Sequence, residues 1–81
     1  QLLGEHEVEI LELEIPSRPA RAEIVTRPLG ELGFPGGTLV GAVIRGQEVL
    51  IGSGDTVLQP GDEVLVVCAP QAAAQVEELL S

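Results

Sequence analysis

The chain has 81 residues, 44% of them hydrophobic, with one Phe and neither Tyr nor Trp, which is the composition of one small globular domain. Thirteen carboxylates against four arginines give a net charge of −9, so the cations needed to neutralise phosphates are missing and nucleic acid is excluded as a partner. An anionic membrane surface is disfavoured on the same ground, and the longest apolar run, Val64–Ala69, is far short of the roughly 20 residues of a bilayer span.

A domain of this size buries only about 60–65% of its unfolded surface, and its core supplies about 3–5 kcal/mol, so association is an attractive further source of stability. One cysteine, Cys68, permits no internal disulfide and fits a reducing cytosol. No basic segment of a secretory signal opens the chain. It contains no Met, and residues 1–81 read as a single domain cut from a longer protein.

In chain order, Glu7–Ile15 alternates charge and hydrophobe, the period of a half-buried strand. Its parity slips, with Val8 and Ile10 facing one way and Leu11, Leu13 and Ile15 the other. A bulge near Ile10–Leu11, or a change of partner there, would restore the pattern. Pro16-Ser17-Arg18-Pro19 stops this strand. Thr26 is expected to cap a short helix with Pro28 in its first turn, Leu29 and Leu32 on one face and Gly33 as its stop. Gly30 makes that helix weak.

Thr38–Arg45 is apolar on both faces and so reads as a central strand. Gly46-Gln47 turns it into Glu48–Ile51. Gly52-Ser53-Gly54-Asp55 and Gln59-Pro60-Gly61-Asp62 are further turns, the second with Pro and Gly at the central positions of type II. A short strand is expected between these turns. Val64–Ala69 is a buried strand, and Pro70 opens a last helix whose Val76, Leu79 and Leu80 form a stripe. That stripe should pack on Val64, Val66 or Leu39–Ile44. The fold class is α+β: a mixed, largely antiparallel, hairpin-rich sheet with a short helix after the first strand and a C-terminal helix packed on it.

Few residues invite chemistry. Glu5, Glu7, Glu9, Glu12 and Glu14, with His6, form a linear ladder that nothing folds round a cation; a solvated strand face that discourages edge pairing is the expected reading. Cys68 lies in an apolar run without a neighbouring cation, as a small buried hydrophobe would. No catalytic residues and no metal site are expected. Gly36-Gly37 and Gly52-Ser53-Gly54-Asp55-Thr56 resemble phosphate loops but lack the Lys and the strand-to-helix context. Gly54, Asp55, Thr56, Pro60, Gly61 and Asp62 are therefore turn residues, with Asp55 and Asp62 tying their turns through side-chain bonds. Arg18, Arg21 and Arg27 cluster before the short helix, where they either meet an anionic ligand or pair with carboxylates; Arg45 stands apart. Phe34, in Gly33-Phe34-Pro35-Gly36-Gly37, either plugs the core or lines a groove or subunit interface.

Read together, these features resemble the TrkA-C domain, the C-terminal lobe of the regulator-of-potassium-conductance (RCK) module. The resemblance runs from Val8 to about Leu80. It is carried by the acidic first strand ending at Pro16; by Leu29 and Leu32 followed by Phe34-Pro35-Gly36; by Leu39–Ile44 followed by Arg45-Gly46; and by Gly54-Asp55-Thr56-Val57-Leu58-Gln59-Pro60-Gly61-Asp62-Glu63-Val64-Leu65-Val66-Val67. Near Thr26 the family has Gly, and the preceding loop is longer here. The resemblance implies a cytoplasmic, non-enzymatic regulatory domain of a potassium or other cation channel or transporter. It further implies dimerisation, an N-terminal Rossmann-like RCK lobe or a membrane transport domain as partner, and a small regulatory ligand, either a nucleotide such as cyclic di-AMP or a cation. A structural assembly domain without ligand, attached to another solute carrier or antiporter, is the alternative. Arg27, Leu29, Leu32, Phe34 and Pro35 are the candidate ligand-binding or dimer-interface residues, with Phe34 and Arg27–Leu32 expected near a homodimer contact.

Overall fold

The computed structural model describes residues 7–81, so Glu5 and His6 of the acidic ladder lie outside the described residues. Four strands, β1 (Glu9–Glu14), β2 (Thr38–Arg45), β3 (Glu48–Ile51) and β4 (Glu63–Cys68), are followed by one helix, α1 (Ala73–Leu79). They form one sheet in the order β1-β4-β2-β3, with every pairing antiparallel. Sheet and helix make the expected α+β architecture.

The parity slip in the first strand is not a bulge. Glu9 pairs with Cys68 and Glu14 with Glu63 in an unbroken register. Leu11, Leu13 and Ile15 face the core, while Ile10 stays 64% exposed. The irregularity lies in β2 instead, where the register against β4 shifts between Val40 and Ala42. Skipping Gly41 is what lets Val40 and Val43, three apart, both reach the core, as a bulge re-aims the residues that follow it.

In place of the short helix expected after Thr26 stand two 3-10 turns, Ala22–Val25 before it and Leu29–Glu31 after it. Pro28 (φ −68°, ψ 156°) is extended, and a proline disfavours the helical region for the residue before it, so one continuous helix is blocked. Thr26 closes the first turn rather than capping a helix N-terminus: its amide donates to the Glu23 carbonyl and its hydroxyl to that of Ala22, at 3.2 Å each. The i,i+3 pair survives the change, since Leu29 and Leu32 are both buried and Gly33 ends the turn at φ +74°. The short strand before β4 reduces to a single bridge between Pro28 and Val57.

The remaining turns follow their sequence signals. Gly46 has φ +62° and Arg45 pairs with Glu48, a two-residue hairpin. Gly61 has φ +88°, and the Asp62 amide donates to the Gln59 carbonyl at 3.1 Å. Pro70 leads a 3-10 turn into α1, whose Val76 and Leu79, with Leu80 after them, join Val64 and Val66 in one buried cluster. Ala20 donates to the Ser81 carbonyl at 3.1 Å, tying the chain end to the loop after β1.

Candidate functional site

Two loops far apart in sequence meet at the end of the sheet. The Leu29 amide donates to the Thr56 carbonyl at 2.8 Å and the Gly30 amide to the Gly54 carbonyl at 3.0 Å. A Cβ on Gly30 would stand 3.2 Å from that Gly54 oxygen, so glycine keeps the approach open. The Ser53–Thr56 turn is held from within, because the Ser53 amide donates to Thr56 Oγ1 and the Thr56 amide to the Ser53 carbonyl, each at 3.1 Å. Asp55, expected to tie this turn, is exposed; Thr56 makes the bonds because its hydroxyl reaches back three residues.

Between these loops and the start of β2 lies a cavity of about 190 Å³. Leu29 and Val40 form its buried walls, Phe34 and Leu39 its half-buried and exposed rim, and the backbone of Gly52, Ser53 and Gly54 its far side. Thr38, the first residue of β2, also lines it. Its Oγ1 is buried with no hydrogen-bond partner, an uncompensated polar group in an otherwise apolar setting.

The structure divides the residues predicted for the site. Leu29 and Phe34 line the cavity. Leu32 is a core residue, and with Arg27 it borders a separate shallow depression on the other side of the 3-10 turn. Arg27 forms an exposed pair with Glu31, 3.7 Å apart. Pro35 is half-buried and lies outside the cavity lining. Arg18 and Arg21 are exposed, and Arg21 borders a third depression beside Gln75 and Glu78. The three arginines therefore do not converge on one anion. Sequence reasoning missed Gly30, Thr38, Leu39 and Val40 as site residues, and placed Gly52-Ser53-Gly54 only as a turn.

Arg45 and Asp62 make the one strongly coupled ion pair among the described residues. Arg45 Nε donates to Asp62 Oδ1 at 3.0 Å and Nη2 to Oδ2 at 2.8 Å, a two-point contact of guanidinium with carboxylate. Nη2 also donates to the Val57 carbonyl at 3.0 Å, and the Gln59 amide to Asp62 Oδ2 at 2.8 Å, so Asp62 ties its turn as expected. Burial pushes the Asp62 carboxyl up, but the Arg45 hydrogen bonds, the Gln59 amide and the Arg45 charge outweigh it and hold it below its ordinary value. Burial raises the Cys68 thiol, with the Glu9 and Glu77 charges adding to it; this is a core thiol and a poor nucleophile. Among the described residues, no group of three or more His, Cys, Asp and Glu is placed to hold a metal ion, and no helix is long and apolar enough to cross a membrane.

A four-stranded antiparallel sheet with one covering helix, and a Gly-Asp-Thr turn joined through Val57 to a Gly-Asp turn, define a small α+β lobe of the RCK type. The chain belongs to the TrkA-C domain family, which matches residues 10–81. It is 38% identical over 58 residues to Trk system potassium uptake protein TrkA homolog 1 of Methanosarcina mazei, an alignment covering 72% of this chain and 13% of that protein. It is 44% identical over 45 residues to Trk system potassium uptake protein TrkA of Halomonas elongata, covering 56% of this chain and 10% of that protein. The chain thus spans about a tenth to an eighth of the length of these relatives. A solved RCK domain with cda shares the fold, with a TM-score of 0.74 at 22% identity over 89% of this chain and 97% of that one.

Proposed function

We propose that the chain is a cytoplasmic regulatory lobe of a potassium transport system that binds a small ligand in the Phe34 cavity and acts as a dimer. Membership of the TrkA-C family supports the transport setting, since relatives carry the name Trk system potassium uptake protein. The observation that carries ligand sensing is the cavity itself: it is built from two loops fastened by backbone bonds, and it holds a buried hydroxyl, on Thr38, that the chain leaves unpaired.

The ligand class we assign is a nucleotide, with cyclic di-AMP as the case that the family resemblance suggests. The RCK domain with cda, which shares the fold, agrees with a ligand of this lobe. At about 190 Å³ the cavity is below the roughly 300–1,000 Å³ of a drug-sized ligand site, so it fits one base and not a whole dinucleotide. Phe34 would stack on the base, and a turn of the Thr38 side chain, which lines the cavity, would bring its buried hydroxyl to the base edge. Among the described residues no cation lines the cavity, so the phosphates would extend past the Leu39 rim. In the full-length protein, the partners we assign are the N-terminal RCK lobe and the membrane transport domain, and the lobe has no catalytic role.

Thermal melting tests the reading. A ligand that binds only the native state at a hundred times its Kd stabilises by about 2.7 kcal/mol. Cyclic di-AMP should raise the Tm of the native chain and raise that of Thr38→Val clearly less. If neither cyclic di-AMP nor potassium ion shifts the Tm at millimolar concentration, the ligand-free assembly reading replaces this one.

A further inference from the structure

The face of the sheet turned away from α1 has no cover among the described residues. The strand register sets its side chains in three rows. Ile10, Val67 and Leu39 make the first, Glu12, Leu65, Ala42 and Ile51 the second, and Glu14, Glu63, Ile44 and Val49 the third. The β2–β3 side is wholly apolar, with Leu39 63%, Val49 64% and Ile51 77% exposed, the kind of patch that marks an interaction site. The three carboxylates occupy the opposite corner, on β1 and the start of β4.

Where corner and apolar side meet, a depression of about 70 Å³ is lined by Glu12 and Glu63 together with Ile44, Val64 and Leu65. Glu12 pairs with Leu65, so Glu63 is its diagonal neighbour on β4, about 7–8 Å away as such pairs are. That interval admits one cationic head between two carboxylates. The aliphatic walls suit the stem behind it, since long basic side chains lie along apolar surface. Among the described residues no arginine is paired with Glu12, Glu14 or Glu63, because the ion pairs are Arg27–Glu31 and Arg45–Asp62. Glu14 and Glu63 even stand directly opposite each other, a like-charge pair that costs stability.

We infer that this face docks an amphipathic helix of a protein partner, with aliphatic side chains on Leu39, Val49 and Ile51 and one arginine seated between Glu12 and Glu63. Charge complementarity selects this occupant. A wholly apolar helix would cover the corner and leave its carboxylates desolvated and unpaired. A second copy of the chain brings thirteen carboxylates against four arginines and lays its own acidic corner on the same surface. Arginine is favoured over lysine because its planar fork bonds two carboxylates at once and is the more weakly hydrated cation. The dimensions agree, since about ten helical residues at 1.5 Å each cross four strands spaced about 4.8 Å apart. The inference stands apart from ligand sensing in the Phe34 cavity, although Leu39 borders both.

Fluorescence anisotropy with a labelled helical peptide tests this. The probe carries leucine at i, i+3, i+4, i+7 and i+8 and arginine at i+11, on an alanine–glutamine background; its control carries citrulline, which keeps the shape and loses the charge. The native chain should bind the arginine peptide saturably, and added salt should weaken the binding. The citrulline peptide, the Glu12→Gln/Glu63→Gln double variant and Ile51→Ser should each lose about tenfold in affinity. Glu77→Gln, on α1, should shift it less than twofold. Glu63→Gln relieves the like-charge pair, so its Tm should equal or exceed that of the native chain, which separates lost binding from lost fold. Equal affinity for the two peptides, or equal affinity of the native chain and the double variant, overturns the inference. So does the absence of binding at millimolar peptide. A native chain that sediments as a dimer, dissociates in Ile51→Ser and ignores the peptide makes a second copy the occupant and overturns it as well.

Discussion

Arg45 and Asp62, 17 residues apart, are joined by two parallel hydrogen bonds, and the same guanidinium reaches the Val57 carbonyl. One arginine at the end of β2 thereby fastens the β2–β3 hairpin to the segment leading into β4. Asp62 is 2% exposed, and its turn is also bonded to the residue that follows β1: the Ile15 amide donates to the Asp62 carbonyl and the Gly61 amide to that of Ile15, each at 2.8 Å. The Gly-Asp turn is where strands that flank the core are locked in register.

Removing that carboxylate leaves Arg45 without its partner and the Gln59 amide without its acceptor. Asp62→Ala should lower stability by about 2 kcal/mol at pH 7, read from urea unfolding. Asp62 titrates lower in the folded chain than in the unfolded one. Its contribution is therefore complete above the unfolded value near 3.9 and is lost as pH falls through the folded value. The gap between the native chain and Asp62→Ala should be constant from pH 7 to about 5 and close on further acidification. A gap that persists at the lowest pH would remove the ion pair from the account.

Gly52 and Gly54 lie in one turn and should respond oppositely to alanine. A Cβ at Gly52 would run into the Val40 carbonyl, beside the β2 bulge, whereas one at Gly54 meets nothing. Gly52→Ala should cost about 1–3 kcal/mol, as overpacking does, and Gly54→Ala less than about 0.5 kcal/mol. Equal costs would contradict the bulge geometry. Because Gly52 lines the cavity, its substitution should also weaken ligand binding.

The docking of α1 depends on Leu80, which is buried in the cluster with Val64 and Val66. Leu80→Ala should cost about 2–5 kcal/mol, measured by thermal or urea unfolding. A cost under about 0.5 kcal/mol would mean that the helix end is not packed as described.

Phe34 is half-buried and packs against the core from the cavity rim. Phe34→Ala should cost about 1–2 kcal/mol, less than the loss of a fully buried ring, and should abolish the Tm shift given by cyclic di-AMP. A variant that keeps that shift would remove Phe34 from the site.

The local signals were readable from the chain alone. Gly46 and Gly61 mark turns that need positive φ, alternation marks β1, and the Val76, Leu79, Leu80 stripe marks α1. The misread elements each involve a competition that local pattern does not decide. Thr26 has the chemistry of a cap, but Pro28 is extended and a proline disfavours a helical residue before it. Asp55 and Thr56 are both competent to tie a turn, and the hydroxyl wins. The slip at Ile10–Leu11 signals an exposed residue, while the bulge falls at Gly41, where nothing in β2 breaks the apolar run. The cavity depends on backbone bonds from Leu29 to Thr56 and from Gly30 to Gly54, and such pairings leave no spacing in a single sequence. Only Phe34 and Leu29 were visible as its residues.

Isothermal titration of cyclic di-AMP into the native chain and into Thr38→Val is the most direct measurement of ligand sensing. The account predicts saturable binding to the native chain, weakened at least tenfold in the variant that loses the hydroxyl and keeps the shape. No heat of binding at millimolar nucleotide, or equal affinity in the two proteins, would contradict it.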